Sequence, residues 1–283
     1  MAKMTTIVET IKPALANIIN ETPSRNNLFK RNLLKEHLQI VVLDFIYSHP
    51  VYSRLLFYGG SALAHCFDLQ RLSEDLDFID ETKKINIPKL AKDLEDYFGR
   101  RTDLKATTTV QKFHIYLKFP ILHDLGVTKR DETDILFLKV EIYSEIDFCK
   151  KYSTDIRPVF KFNRSILIKT LDPSTLMATK IRAILYRKWE KTDKQGRTTV
   201  KVKGRDYFDL LWYLRKGIQP NLSCIEGFKN MKDLKEELLS MIARVDSRSI
   251  RLDLEALVID PGFVNNMSKN IKAILEREIS EKL

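Results

Sequence analysis

Two short stretches of the chain carry the residue types from which phosphoryl chemistry is made. Gly59-Gly60-Ser61 closes the apolar run Leu55 to Tyr58, and Asp75-Leu76-Asp77 follows a little further on. Adjacent glycines let bare backbone approach a ligand and expose N–H groups at the start of a short helix, a ready anion site for which phosphate is the expected occupant. If Leu76 and Phe78 are buried in a strand, period-two alternation turns Asp75 and Asp77 to the opposite face, side by side toward one cation. Such a pair suits magnesium. An anion-gripping turn beside a D-x-D pair is what metal-dependent nucleotidyl transfer requires. That reaction is an in-line displacement at the α-phosphorus of a nucleoside triphosphate (NTP), in which two metal ions about 4 Å apart can stabilise the attacking and leaving oxygens.

Three blocks, in order over residues 58 to 210, extend this reading. Gly59-Gly60-Ser61-Ala62-Leu63-Ala64 with Arg71-Leu72-Ser73-Glu74-Asp75-Leu76-Asp77-Phe78 resembles the G-G-[ST]-A-L-A and R-x-S-x-D-[LI]-D-[FL] block of the AbiEii/AbiGii toxin family, within the G-S…D-x-D nucleotidyltransferase superfamily. Lys180 to Arg187 resembles that family's K-x-x-A-[LI]-x-x-R helix, and Arg205-Asp206-Tyr207-Phe208-Asp209-Leu210 its [RK]-D-x-x-D-L segment. The resemblance implies the toxin of a bacterial toxin–antitoxin pair that attaches nucleotides to RNA, with tRNA ends as acceptors and a cognate antitoxin as partner. The same donor machinery would serve for nucleotidylating a small-molecule or protein hydroxyl, and a non-catalytic nucleotide- or RNA-binding module is the other alternative.

Roles follow residue by residue. Asp75 and Asp77 are expected to hold magnesium or manganese, and a third carboxylate should come from a neighbouring strand. Glu141 matches that position of the superfamily pattern, with Glu145 and Asp147 as substitutes. Ser61 is expected to hydrogen-bond the β- or γ-phosphate beside the N–H groups of Gly60 and Ser61. Arg71 reaches phosphate or pairs with Glu74 or Asp80, and Ser73 caps or orients the carboxylate strand. Lys180 and Arg187 lie seven apart on one helix and share a face. Lys180 is the expected triphosphate clamp, because a compact ammonium serves as a point charge for phosphate, while Arg187 supports it or touches RNA. Asp206 orients Lys180 or Arg182, or accepts the proton of the attacking hydroxyl. Orientation is favoured, since the metal can itself lower the hydroxyl pKa.

The chain has 283 residues, 44% of them apolar, and 48 basic against 38 acidic side chains give a net charge of +10 at pH 7. That balance favours an anionic partner. Eight basic residues against two acids, a local +6, fall between Arg187 and Arg205, and Tyr186 and Trp189 adjoin the run. Cations there would neutralise phosphates while rings stack on bases, so this segment is the expected RNA contact. Cys66, Cys149 and Cys224 are widely separated, which indicates neither a disulfide framework nor a zinc site and suits a reducing cytoplasm. No signal peptide and no membrane span are expected. Walker, zincin and hydrolase-elbow motifs are missing, Glu81 stands where a calcium loop after Asp80 needs glycine, and His65, His114 and His123 are not at ligand spacing.

The elements that must position these groups follow from periodicity. Helices are expected over 5–22 and 27–48, then over 88–100, and strands over 105–110, 112–119 and 135–146. Phe137, Lys139, Glu141, Tyr143 and Glu145 face away from Leu136, Leu138, Val140 and Ile142 in the last of these. Asp172-Pro173 starts a helix reaching about Lys188, Gly204 opens another through Leu214, and 231–245, about 252–258 and 262–282 complete a helical C-terminal half. The expected class is α/β (α+β). A small mixed sheet flanked by helices, residues 1–160, is followed by a mostly helical part, 161–283, that completes the active site.

Overall fold

The structure is a computed structural model, and it describes residues 8–144, 146–147, 149–187, 191–192, 195, 198–200 and 202–283. The chain divides into two compact units. The first comprises Met1–Asp68, Leu72–Glu145 and Ile156–Thr170, and the second Leu69–Arg71, Ile146–Asp155 and Leu171–Leu283.

The first unit is built on a seven-stranded mixed sheet. Its strands are β1 (Leu56–Tyr58), β2 (Asp75–Ile79), β3 (Thr107–Gln111), β4 (His114–Pro120), β5 (Ile135–Tyr143), β6 (Thr154–Lys161) and β7 (Arg164–Leu171), in the spatial order β3-β4-β5-β2-β1-β7-β6. β2 runs antiparallel to β1 and parallel to β5. The expected alternation holds: Leu76, Phe78, Leu136, Leu138 and Val140 are buried on the core face, with Ile115, Leu117 and Phe119 of β4. The hairpin β6–β7 was not read from the sequence. It turns on Phe162 and Asn163, both at positive φ, and β7 then lies parallel to β1.

Helices α1 (Lys12–Asn20), α2 (Asn27–Ser48), α3 (Gly59–Cys66) and α4 (Ile87–Arg101) belong to this unit. Asn26 caps α2 through Phe29 N at 2.8 Å, and Asn86 caps α4 through Lys89 N at 2.9 Å. A helix over 5–22 was expected, of which residues 5–7 lie outside the described residues, and the part from residue 8 to Ile11 is not helical. Instead Glu9 forms a bridge with Thr102, and the Asp103 carboxylate accepts from Ile11 N at 2.8 Å, so a distant acid sets the start of α1 at Lys12.

The second unit is helical: α5 (Pro173–Tyr186), α6 (Gly204–Arg215), α7 (Met231–Ala243), α8 (Ser247–Leu254) and α9 (Pro261–Lys282), with a small antiparallel pair, β8 (Lys191–Thr192) and β9 (Thr198–Val200). Asp172 caps α5 at Thr175 N, 3.1 Å, as its sequence signature implies. The helix expected at 252–258 begins earlier, because Asp246 accepts from Ser249 N at 3.0 Å and fixes the first turn there. Gly204 lets α6 meet α8 closely, since a Cβ at this position would fall 2.7 Å from Ile250 Cα. Cys149 and Cys224, expected to be unpaired, are joined as a disulfide that links the 146–155 segment to the turn after α6. The fold brings together two thiols that their spacing of 75 residues does not relate. Among the described residues no helix is long and apolar enough to cross a membrane.

Candidate active site

In the first unit, pairing register places the acidic groups. Asp77 stands opposite Tyr58 of β1 and Glu141 of β5, while Asp75 stands opposite Lys139. Leu76 and Phe78 are fully buried and Asp75 and Asp77 are half-buried, so the two carboxylates share the outward face that alternation requires. Gly59 has φ +79°, and a Cβ there would overlap the Asp77 carboxylate. Glycine is thus required twice over at this position, by conformation and by space.

The helix that follows, α3, has no side-chain cap. Its first N–H groups, including those of the buried Gly60 and Ser61, are left to other acceptors, an anion among them. Ser61 does not point outward: its hydroxyl is buried and donates to the Asp75 carbonyl, which ties the first turn of α3 to the start of β2. Ser73 is buried, and its carbonyl accepts from Gln39 Nε2 at 2.9 Å, fixing the approach to β2.

Glu141 sits on the face expected for the third carboxylate but is heavily partnered. Lys139 Nζ lies 3.1 Å from Asp75 Oδ2 and also contacts Glu141 Oε1, Tyr143 Oη donates to Glu141, and His114 Nε2 is 3.6 Å away. Burial opposes charge on both Lys139 and Glu141. The hydrogen bonds and charges between them outweigh it, raising the Lys139 pKa and lowering that of Glu141. Tyr143 is raised, by burial and then by Glu141, and Tyr58 by burial and then by Asp77. Among the described residues no three acidic, histidine or cysteine side chains converge on one point suited to a metal. The ammonium of Lys139 instead stands in for a cation between two carboxylates. The carboxylates of Asp75, Asp77 and Glu141 on the neighbouring strands β2 and β5 are hard oxygen donors, the kind that a divalent ion such as magnesium takes.

The second unit carries an alternating chain of charges. Arg71, on the short segment 69–71, makes a bidentate pair with Asp209 through Nε and an Nη, each at 2.6 Å, and both side chains are wholly buried. Lys180 Nζ lies 2.8 Å from Asp209 Oδ2 and 3.4 Å from Asp206 Oδ1, and Arg187 Nη1 is 2.7 Å from Asp206 Oδ2. Burial would raise the Asp209 pKa, but Arg71 and Lys180 hold it below its ordinary value. Arg71 thus has Asp209 as a buried partner that its sequence neighbours did not suggest, and Asp80 accepts from Thr82 N and Ile85 N. Asp206 lies between Lys180 and Arg187, while Arg182 lies 3.5 Å from Glu226.

Of the basic run, Lys188, Lys194, Arg197 and Lys201 lie outside the described residues, as do Trp189 and Glu145. Arg205 is committed to Asp253, at 2.9 Å through its backbone N–H. Asp147 is exposed in the second unit. Sequence reasoning missed Lys139, although its position two residues before Glu141 on one strand face was a usable signal. It also left Asp209 without a role, and there no local signal exists, because its partner Arg71 is 138 residues away.

No curated protein sequence matches the chain. Two crystal structures from Helicobacter pylori are similar: one described as a candidate nucleotidyltransferase, at 18% identity and TM-score 0.47 over 88% of this chain and 96% of that one, and JHP933, at 18% and 0.46 over 88% and 94%. Residues 44–277 match the family described as the nucleotidyl transferase AbiEii toxin of type IV toxin–antitoxin systems, so the chain belongs to the AbiEii nucleotidyltransferase toxin family.

Proposed function

We propose that the protein transfers a nucleoside monophosphate from an NTP to the 3′ hydroxyl of an RNA, with tRNA as the acceptor class, and that a partner antitoxin restrains it. The observation that carries this reading is the placement of Asp75 and Asp77 on one strand face, with Asp77 against the glycine that opens the uncapped helix α3. Bound magnesium or manganese, held by Asp75, Asp77 and Glu141, would supply Lewis-acid stabilisation of charge on the phosphate oxygens. The N–H groups of Gly60 and Ser61 grip the departing pyrophosphate, and the Ser61 hydroxyl keeps them in register with Asp75. Lys139, which bridges Asp75 and Glu141, would have to release them for a metal to be held there. Within the second unit, Lys180 and Arg187 are cations of the kind that suits a phosphate, with Asp206 and Asp209 holding the lysine in place. In the reaction the RNA 3′ oxygen bonds to the α-phosphorus, the bond to pyrophosphate breaks, and the hydroxyl proton is released.

Incubation with each α-labelled NTP, total RNA and magnesium tests the proposal. Label is expected at RNA 3′ ends, and its loss is expected in Asp77→Ala. RNA that stays unlabelled with every NTP, or an Asp77→Ala variant as active as the parent, would overturn it.

A further inference from the structure

On the side of β2 away from β1 and α3, the outward sheet face opens into a cavity of about 480 Å³ that begins at Asp75 and ends on the edge strand β3. Its floor is a row set by register: Asp75 faces Lys139 on β5, Lys139 faces Tyr116 on β4, and Tyr116 faces Thr109 on β3. Three strand spacings give a span of roughly 14 Å. Stacked nucleotides rise about 3.4 Å each, so the row accommodates more than one.

The chemistry of this wall is uneven in a telling way. Lys35 and Lys118 line it, are half-buried, and have no ion-pair partner among the described residues. Phe137, next to Lys118 in register, presents an aromatic ring at 45% exposure amid polar neighbours, and Tyr116 stands beside it half-exposed. Uncompensated cations beside exposed rings match a phosphodiester chain with unstacked bases, and the exposed amide of Gln111 offers donor and acceptor groups to base edges or 2′ hydroxyls. A peptide acceptor would use the rings but would leave both lysines without a counter-charge.

We infer that this groove is the acceptor cradle, in which the single-stranded 3′ end of an RNA lies across β3, β4 and β5 with its terminal hydroxyl directed at Asp75. The inference rests on the proposed RNA transfer and assigns its acceptor side to the β5 flank of the D-x-D strand, leaving the β1–α3 flank for the triphosphate. Lys35 and Lys118 neutralise backbone phosphates, while Phe137 and Tyr116 stack on bases.

The test uses the full-length protein with Phe137→Ala, Phe137→Trp and Lys35→Glu/Lys118→Glu variants, each checked for folding by thermal unfolding. Two readouts are taken: KM for RNA in the transfer assay, and anisotropy of a labelled single-stranded RNA oligonucleotide. Phe137→Ala should weaken both by roughly tenfold, the scale of one lost base stack, and Phe137→Trp should restore them. The lysine variant should flatten the salt dependence of binding by about 0.7 in log–log slope for each lost phosphate contact. KM and binding within twofold of the parent for Phe137→Ala and the lysine variant would overturn the cradle. Should the parent label no RNA, the transfer reading falls by itself, and oligonucleotide binding still decides: loss in the variants supports the cradle, and unchanged binding refutes it. Label found only on protein, with RNA binding indifferent to these residues, also refutes it.

Discussion

Replacing Asp209 by asparagine preserves the shape of the side chain and removes one negative charge from the most buried ionic group in the second unit. In the native arrangement Asp209 accepts two bonds of 2.6 Å from Arg71 and lies 2.8 Å from Lys180, and neither Arg71 nor Asp209 exposes any side-chain surface. The network holds the cations Arg71, Lys180 and Arg187 against the anions Asp209 and Asp206, and Asp206 already serves Lys180 and Arg187. Asparagine therefore leaves the Arg71 guanidinium deep in the unit facing a neutral amide. Breaking a buried pair from one side costs about 3–5 kcal/mol. With a urea m-value of roughly 2 kcal/mol/M, the midpoint should fall by about 2 M. Tryptophan fluorescence is a suitable probe, because Trp212 lies on the same helix as Asp209. The double replacement Arg71→Met/Asp209→Leu should recover much of the loss, since it removes both charges. The pH dependence supplies a second check. The folded-state pKa of Asp209 lies below its ordinary 3.8, so the unfolded chain binds more protons in acid. Its contribution is fully present above about pH 4 and is lost as pH falls through the depressed folded value, and Asp209→Asn should lack that limb. A single variant destabilised by less than about 1 kcal/mol, well short of the expected cost, would refute this account of the network.

Gly59→Ala should lose about 1–2 kcal/mol from the left-handed backbone alone, and nucleotidyl transfer should fall further than stability because the added Cβ displaces Asp77. Full transfer activity in this variant would show that the carboxylate tolerates the shift. His65, buried between Gln39 Oε1 at 2.9 Å and Lys161, has its pKa pushed down to about 3 from 6.5, by burial first and then by Lys161. Its contribution is complete above pH 6.5 and declines as pH falls toward 3. At about 1.4 kcal/mol per unit this amounts to roughly 4–5 kcal/mol, visible as a steeper acid limb in urea titrations of the parent than of His65→Gln. Lys139→Met removes the ammonium between Asp75 and Glu141, so magnesium or manganese should raise the melting temperature of the variant more than that of the parent. An equal rise in both would show that the lysine does not compete for the cation position.

What could be read directly from the chain was whatever depends on a few neighbouring residues. Alternation in Asp75-Leu76-Asp77-Phe78 put both carboxylates on one strand face, and Asp172 announced the helix it caps, because strand faces and helix ends are set within three or four positions. The family blocks located Lys180 and Asp206 on the helices that carry them, whereas Arg187, expected on the helix of Lys180, lies just past its end at Tyr186 with extended backbone. Pairings over long separations lay beyond that horizon. The start of α1 depends on Asp103, the Arg71 partner is Asp209, and two cysteines 75 residues apart meet. Strand register placed Lys139 opposite Asp75, so that a lysine rather than open space lies between the acids. Burial and register are properties of the assembled sheet and helices, and they decide which of many charged side chains become partners. The residue types fixed the available chemistry, and tertiary packing chose where each charge is spent.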